Sequence, residues 1–236
     1  MLTTGRLLTA CLALSLLAGC GSSTTSGSKE STAPTTPAQV LAQAKKTLDE
    51  TSGLNLGITA TGVPTDVTAL LSGSGTLTHA PGFDGSITVQ YAGLKPQVPI
   101  VAVDGKVYAQ LPLSVGWQTI DPSEYGAPDP ATLAAASGGL SDWLTATTGL
   151  VEGDKVRGGV GNKEILTSYS GTLPAKSGQL LVPLITKDLD VTYTVTDSEE
   201  LRQIVLKGDI YNTGDTETYT IDLDHYGTSK TITAPK

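Results

Sequence analysis

Along most of the chain, apolar side chains recur at every second position. In the stretch LNLGITATG, Leu54, Leu56, Ile58 and Ala60 share one face, and Asn55, Gly57, Thr59 and Thr61 share the other. A period of two is that of a strand with one buried side. The same alternation groups Phe83, Gly85, Ile87, Val89 and Tyr91, and predicts strands in IVAV, KVYAQL, KVRGGV, EILTSYSGTL, DLDVTYTVT, ELRQIVLKGDIY and ETYTIDLD. Asp104-Gly105, between IVAV and KVYAQL, marks a two-residue hairpin, since such a turn needs positive φ at both positions. The last three strands read as a meander joined at Asp197-Ser198 and at Asn212 to Asp215. Its inner side carries Val191, Tyr193, Val195, Ile204, Leu206, Ile210, Tyr219, Ile221 and Leu223.

Two stretches break this period. Thr36 is a helix cap and Pro37 suits the first turn, while Val40, Leu41, Ala44 and Leu48 form one stripe that ends before Gly53. From Pro112 to Gly149, Asp121-Pro122 and Asp129-Pro130 signal turns or helix starts. ATLAAAS and LSDWLTAT there read as short helices separated by Gly138-Gly139, with Leu133, Leu140, Trp143 and Leu144 facing inward. About ten one-sided strands with few helices predict an α+β class: a strongly curved antiparallel half-barrel sheet wrapped over a few helices. Its inner face encloses either an apolar cavity or a solid aliphatic core, and alternation is compatible with both. The candidate cavity lining is Ile58, Leu77, Ile87, Val89, Val107, Leu140, Leu144, Val191, Tyr193, Ile204, Leu206 and Ile221.

The first residues follow another rule. MLTTGRLLTACLALSLLAGC has one positive charge, Arg6, then an apolar run from Leu7 to Ala18 and small residues before Cys20. That is the plan of a signal peptide, residues 1–19, too short for a permanent membrane span. Gly21 to Pro37 is almost free of apolar side chains, so Cys20 and the tether behind it, residues 20–36, precede the folded part at 37–236. A coil of that length reaches on the order of 20–25 Å. With Cys11 in the discarded segment, the mature chain keeps one cysteine and forms no internal disulfide.

Composition narrows the function. Loss of the signal removes Arg6 and no acid, so the net charge falls from −8 to −9. This argues against nucleic acid as a partner and against adhesion to anionic headgroups by charge alone. Candidate chemistry is sparse. Asp222, Asp224 and His225 end the last strand, but alternation puts the histidine opposite the aspartates, and His79 precedes a turn at Ala80-Pro81-Gly82. Ser26-Gly27-Ser28-Lys29 and Lys176-Ser177-Gly178 match strings of penicillin-recognising serine enzymes, yet the first lies in the tether and the second follows Pro174 in a turn-rich segment. The glycines of RGGVGNK read as a hairpin turn and not a phosphate loop. No catalytic residue, metal site or cofactor is expected.

Leu17-Ala18-Gly19-Cys20 resembles the bacterial lipobox, whose cysteine is acylated and becomes the mature N-terminus. This quartet carries a wider likeness together with the polar tether and the helix before LNLGITATG. It extends through DGKVYAQLP with Trp117, IDPSEYGAPDPATLAAASGGLSDWL and the closing YGTSKTITAPK. Over nearly the whole chain these segments resemble the LppX/LprG-type lipoproteins of mycobacteria and related actinobacteria. The resemblance implies a half-barrel similar to LolA and LolB, enclosing a large hydrophobic cavity for the acyl chains of multi-acylated lipids or glycolipids in transit across the cell envelope. It further implies a lipid anchor, with palmitate, at Cys20 on the extracytoplasmic face of the cell membrane. It also implies an exporter of the major facilitator superfamily as a partner, and no catalytic residues. GLKPQV, Gly93 to Val98, departs from the mycobacterial pattern. The competing expectation is an envelope scaffold or adaptor with a filled core, acting by contact with an exporter or cell-wall enzyme.

Overall fold

A computed structural model describes residues 36–236 apart from 126, 160 and 161; the expected signal segment, Cys20 and the tether up to residue 35 lie outside the described residues. The folded chain begins with helix α1, Pro37–Glu50. A capping box starts it: the Gln39 amide donates to Thr36 Oγ1, and the Thr36 amide donates to Gln39 Oε1. Leu41, Ala44 and Leu48 turn inward.

Eleven strands follow among the described residues, all paired antiparallel in one sheet. The first six are β1 (Gly53–Thr61), β2 (Ala69–Thr78), β3 (Gly82–Gln90), β4 (Gln97–Val103), β5 (Lys106–Ala109) and β6 (Gln118–Ile120). The others are β7 (Thr148–Gly158), β8 (Glu164–Leu173), β9 (Leu189–Thr196), β10 (Leu201–Gly208) and β11 (Glu217–Asp224). Their spatial order is β6-β5-β4-β3-β2-β1-β11-β10-β9-β8-β7. The chain therefore steps from the centre to one edge, crosses to the other edge, and steps back until β11 pairs with β1. The crossing, residues 121–147, covers the inner face with 3-10 turns at Pro122–Tyr125, Pro130–Ala134 and Leu140–Asp142 and the short helix α2, Trp143–Ala146. Another single-turn helix, α3, spans Ala175–Gly178.

The β8 to β11 half is filled. Tyr193, Ile204, Leu206, Tyr219 and Ile221 are fully enclosed. Burying a phenol or indole requires a partner for its polar tip. Tyr193 donates to the Trp143 carbonyl and bonds Thr147, Trp143 Nε1 donates to the Ser177 carbonyl, and Tyr219 donates to the Leu70 carbonyl beside Tyr211. Burial raises both tyrosine pKa values, so these hydroxyls stay neutral. The outer edge β7 is exposed along most of its length, with Leu150 packed against the core; it is bulged twice and carries Glu152, Asp154, Lys155 and Arg157, which discourage further strand pairing.

Gly75 and Gly85 oppose each other across β2 and β3. A Cβ on Gly85 would lie 2.1 Å from the Ser74 carbonyl oxygen, and one on Gly75 would lie 2.7 Å from the tip of the Phe83 ring. Only glycine permits this close approach, which seats the sole phenylalanine of the chain across the inner face. Strands β2 and β6 were not expected from alternation. β2 breaks its period at a bulge between Leu70 and Ser72 and continues as Ser-Gly-Ser-Gly, and β6 has three residues on an exposed edge. β7 also starts earlier than KVRGGV, because its apolar residues do not alternate across a core.

Candidate functional site

The β1 to β6 half is not filled. Between it and the crossing segment lies a cavity of about 270 Å³. Its floor is built by Leu56 and Ile58 of β1, Leu70 of β2, and Phe83, Ile87 and Val89 of β3. Val98 and Ile100 of β4, Val107 of β5 and Ile120 of β6 continue it. Tyr125, Ala127 and Leu133 of the crossing form the cover. Leu181, from the loop before β9, closes one side. Among the described residues no charged side chain reaches the wall, and the two tyrosine hydroxyls are its sole side-chain polar groups. Five prolines, Pro96, Pro112, Pro122, Pro128 and Pro130, also border it. Proline lacks a backbone N–H, so irregular segments can face hydrocarbon here without stranding a donor at each of those positions.

Tyr91, at the end of β3, and Tyr125, in the cover, meet edge to face with ring centroids 5.9 Å apart. This contact bridges the rim. Tyr91 also closes a tight turn with Leu94 through paired backbone hydrogen bonds, with positive φ at Ala92 and Gly93. The segment GLKPQV thus lies on the rim, with Leu94, Pro96 and Val98 on the cavity.

The cover is fixed at one end only by polar bonds. Lys45 of α1 reaches Asp142 at 2.9 Å and Asp49 at 2.9 Å, and donates to the Ala136 carbonyl and Ser141. Burial works against the lysine charge, but the hydrogen bonds to Asp142 and Asp49 outweigh it and hold the ammonium above its ordinary value. The Gly138 amide and then Lys45 hold the Asp142 carboxyl below its usual range. The described residues of 121–135 make no comparable tie to α1.

The twelve expected lining residues divide three ways. Ile58, Ile87, Val89 and Val107 stand on the cavity wall. Leu77 and Leu140 border a separate gap of about 10 Å³ beside His79 and Asp49. Leu144, Val191, Tyr193, Ile204, Leu206 and Ile221 are buried in the filled half and touch neither space. Alternation identifies which side chains face inward, but not which inward residues meet a partner. The cover and rim residues Tyr125, Ala127 and Pro112 carried no periodic signal. Proline density between Pro96 and Pro130 was the available clue.

His79 and Asp49 face that small gap, where Asp49 Oδ1 and both His79 ring nitrogens have no partner. Asp222 and Asp224 stand on the outer face, where Asp224 Oδ1 bonds His225 Nδ1 at 2.6 Å in solvent. Among the described residues no three His, Cys, Asp or Glu side chains converge to hold a metal. Lys176 and Ser177 sit in α3, where the Ser177 carbonyl serves Trp143.

An open, curved antiparallel sheet with a helix-covered apolar interior defines the half-barrel class of fold. Residues 36–234 match the LppX_LprAFG lipoprotein family, and the chain belongs to it. Its fold is similar to LprF from Mycobacterium bovis, with TM-score 0.70 and 16% identity over 84% of this chain and 96% of that one. It is also similar to the lipoprotein LppX from Mycobacterium tuberculosis, with TM-score 0.62 and 14% identity over 84% of this chain and 98% of that one. A LolA superfamily protein from Nitrosomonas europaea aligns over 83% of this chain at 11% identity, but its TM-score of 0.30 carries no argument. No curated protein sequence matches. No helix among the described residues is long and apolar enough to cross a membrane.

Proposed function

We propose that the protein is a membrane-anchored lipid carrier that shelters acyl chains in the cavity under residues 121–135 and passes them on within the cell envelope, with Cys20 as its lipid anchor. The observation that supports this most is the cavity wall, which among the described residues holds no charged side chain and no side-chain polar group beyond two phenols. Such a wall gives a headgroup nothing to bind but rewards hydrocarbon. Each methylene moved from water contributes about 0.8 kcal/mol. Measured against a bilayer the same transfer is nearly neutral, which lets a carrier load and unload.

The volume of about 270 Å³ lies just below the roughly 300–1,000 Å³ usual for small-molecule sites. It suits one chain. A lipid with several chains enters only if the cover swings away from β3 and the Tyr91–Tyr125 contact parts. Loading and opening are then one event, with the 136–142 segment held by Lys45 as the fixed side of the hinge. An exporter partner and transfer of glycolipid are part of this reading.

Titration with monomeric cis-parinaric acid tests it. Saturable one-to-one binding, displaced by lipids with two or more chains, is expected. A protein that leaves the probe in water favours the scaffold alternative, which draws its own support from the solid β8 to β11 half.

A further inference from the structure

The strand directions sort the connections into two ends of the sheet. The β1–β2, β3–β4, β5–β6, β8–β9 and β10–β11 connections emerge at one end, and the remaining hairpins at the other. Five large apolar side chains are exposed in connections of the described residues: Tyr91, Leu94, Leu113, Val115 and Leu184. All five belong to the first end. The two most exposed, Leu113 at 106% and Val115 at 98%, lie in the single connection between β5 and β6.

That connection has an unusual construction. The Ser114 amide donates to the Leu111 carbonyl, closing a four-residue turn with Pro112 second and Leu113 third at φ +66°. This is the arrangement of a type II turn, whose third position favours glycine or asparagine. A bulky residue at positive φ is a backbone outlier, and here no packing repays it, since Leu113 touches solvent on all sides. Leu111 and Pro112 of the same turn line the cavity. From Val107 to Ile120 the chain carries no charge.

We propose that the Leu111–Gly116 turn is a wedge that enters the hydrocarbon of a lipid bilayer and joins the cavity mouth to it. The inference rests on the carrier reading and names the surface from which that cavity fills. Hydrocarbon fits this tip better than a protein partner does. The tip has no charged group and continues the apolar wall, and its one polar side chain, Ser114, has its hydroxyl bonded to the Leu111 carbonyl of the same turn. Insertion by apolar contact also suits a mature chain of net charge −9, which anionic headgroups would repel. The tether expected over residues 20–36 would keep the domain within reach of the same bilayer.

The chain carries its own reporter. Trp117 follows the turn directly and is partly exposed, whereas Trp143, the other tryptophan, is 1% exposed. Full-length acylated protein, its cavity filled beforehand with oleic acid, is placed on phosphatidylcholine vesicles with brominated acyl chains. Quenching of Trp117 relative to unbrominated vesicles is expected, and an unquenched Trp117 overturns the proposal. Leu113→Gly keeps the turn and gives it the residue its geometry favours, so its Tm should rise while quenching falls. With Val115→Ser added, transfer of a fluorescent lipid between vesicles should slow at least tenfold. Transfer at the wild-type rate, or quenching replaced by self-association through this turn, overturns the wedge as well. Monomeric cis-parinaric acid separates the two claims. Variants that bind it normally but transfer slowly support the wedge, whereas a wild-type protein that cannot bind it removes the carrier reading and leaves quenching to judge the wedge alone.

Discussion

Two tryptophan substitutions at inward-facing strand positions should have opposite consequences. Val89 stands on β3 at the cavity wall, and Leu206 stands on β10 fully buried and away from that wall. An aromatic side chain buries about 150–250 Å². At about 25 cal/mol per Å² the excess of indole over an isopropyl group contributes on the order of 2 kcal/mol. In Val89→Trp the indole turns into a space of about 270 Å³ and meets Leu70, Ile87 and Val98 side chains that now face it empty. Its Tm should therefore hold or rise. Leu206→Trp meets a filled core and should lose about 1–3 kcal/mol by overpacking, a fall of roughly 2–12 °C in a chain of this size. Displacing contact for only two methylenes, about 0.8 kcal/mol each, is enough to weaken chain binding about tenfold. Val89→Trp should accordingly lose acyl-chain binding with its fold intact, and Leu206→Trp should lose stability while the remaining folded fraction still binds. Thermal unfolding followed by circular dichroism, with cis-parinaric acid titration of each variant, checks both halves. Equal destabilisation of the two variants, or undiminished binding by Val89→Trp, refutes the division of the half-barrel into an empty and a filled side.

Gly85→Ala drives a methyl group to 2.1 Å from the Ser74 carbonyl oxygen and should cost at least about 1–3 kcal/mol in chemical denaturation; a neutral result contradicts the close approach of β2 and β3. Burial holds His79 below its ordinary value of 6.5, with Asp49 pulling the other way. The unfolded chain therefore takes up the proton first, and stability should fall as pH drops from about 7 to 5, above the carboxylate range. His79→Gln should flatten that slope in Tm, and an unchanged slope excludes the histidine as its source. Lys45→Met removes the bonds that tie α1 to residues 136–142, so amide exchange should quicken there and leave β9 and β10 unaffected. Tyr125→Ala removes the contact across the rim and should speed lipid release in stopped-flow exchange.

Much of the fold was legible because strand alternation is a local signal. The Asp104-Gly105 hairpin forms with positive φ at both residues, and the inner faces of β9, β10 and β11 carry the residues expected of them. β2 was not legible, since its bulge shifts the period by one and small residues replace the apolar ones. The site was less legible still. Ile58 and Ile221 are direct partners on β1 and β11, yet only Ile58 meets the cavity. What separates them is the path of residues 121–147, which packs against one half and bridges the other. That path depends on long-range contacts such as Lys45 with Asp142 and Trp143 with Ser177, and neither has a periodic trace.

The central claim, that the space under residues 121–135 carries acyl chains, is met most directly by native mass spectrometry with lipid extraction. The sample is the chain from Thr36 onward, expressed in an actinobacterial host and so without the proposed anchor at Cys20. The account predicts a stoichiometric acylated lipid on the protein that is absent from Val89→Trp prepared in parallel. A protein that emerges empty, and stays empty when lipid is added, contradicts it.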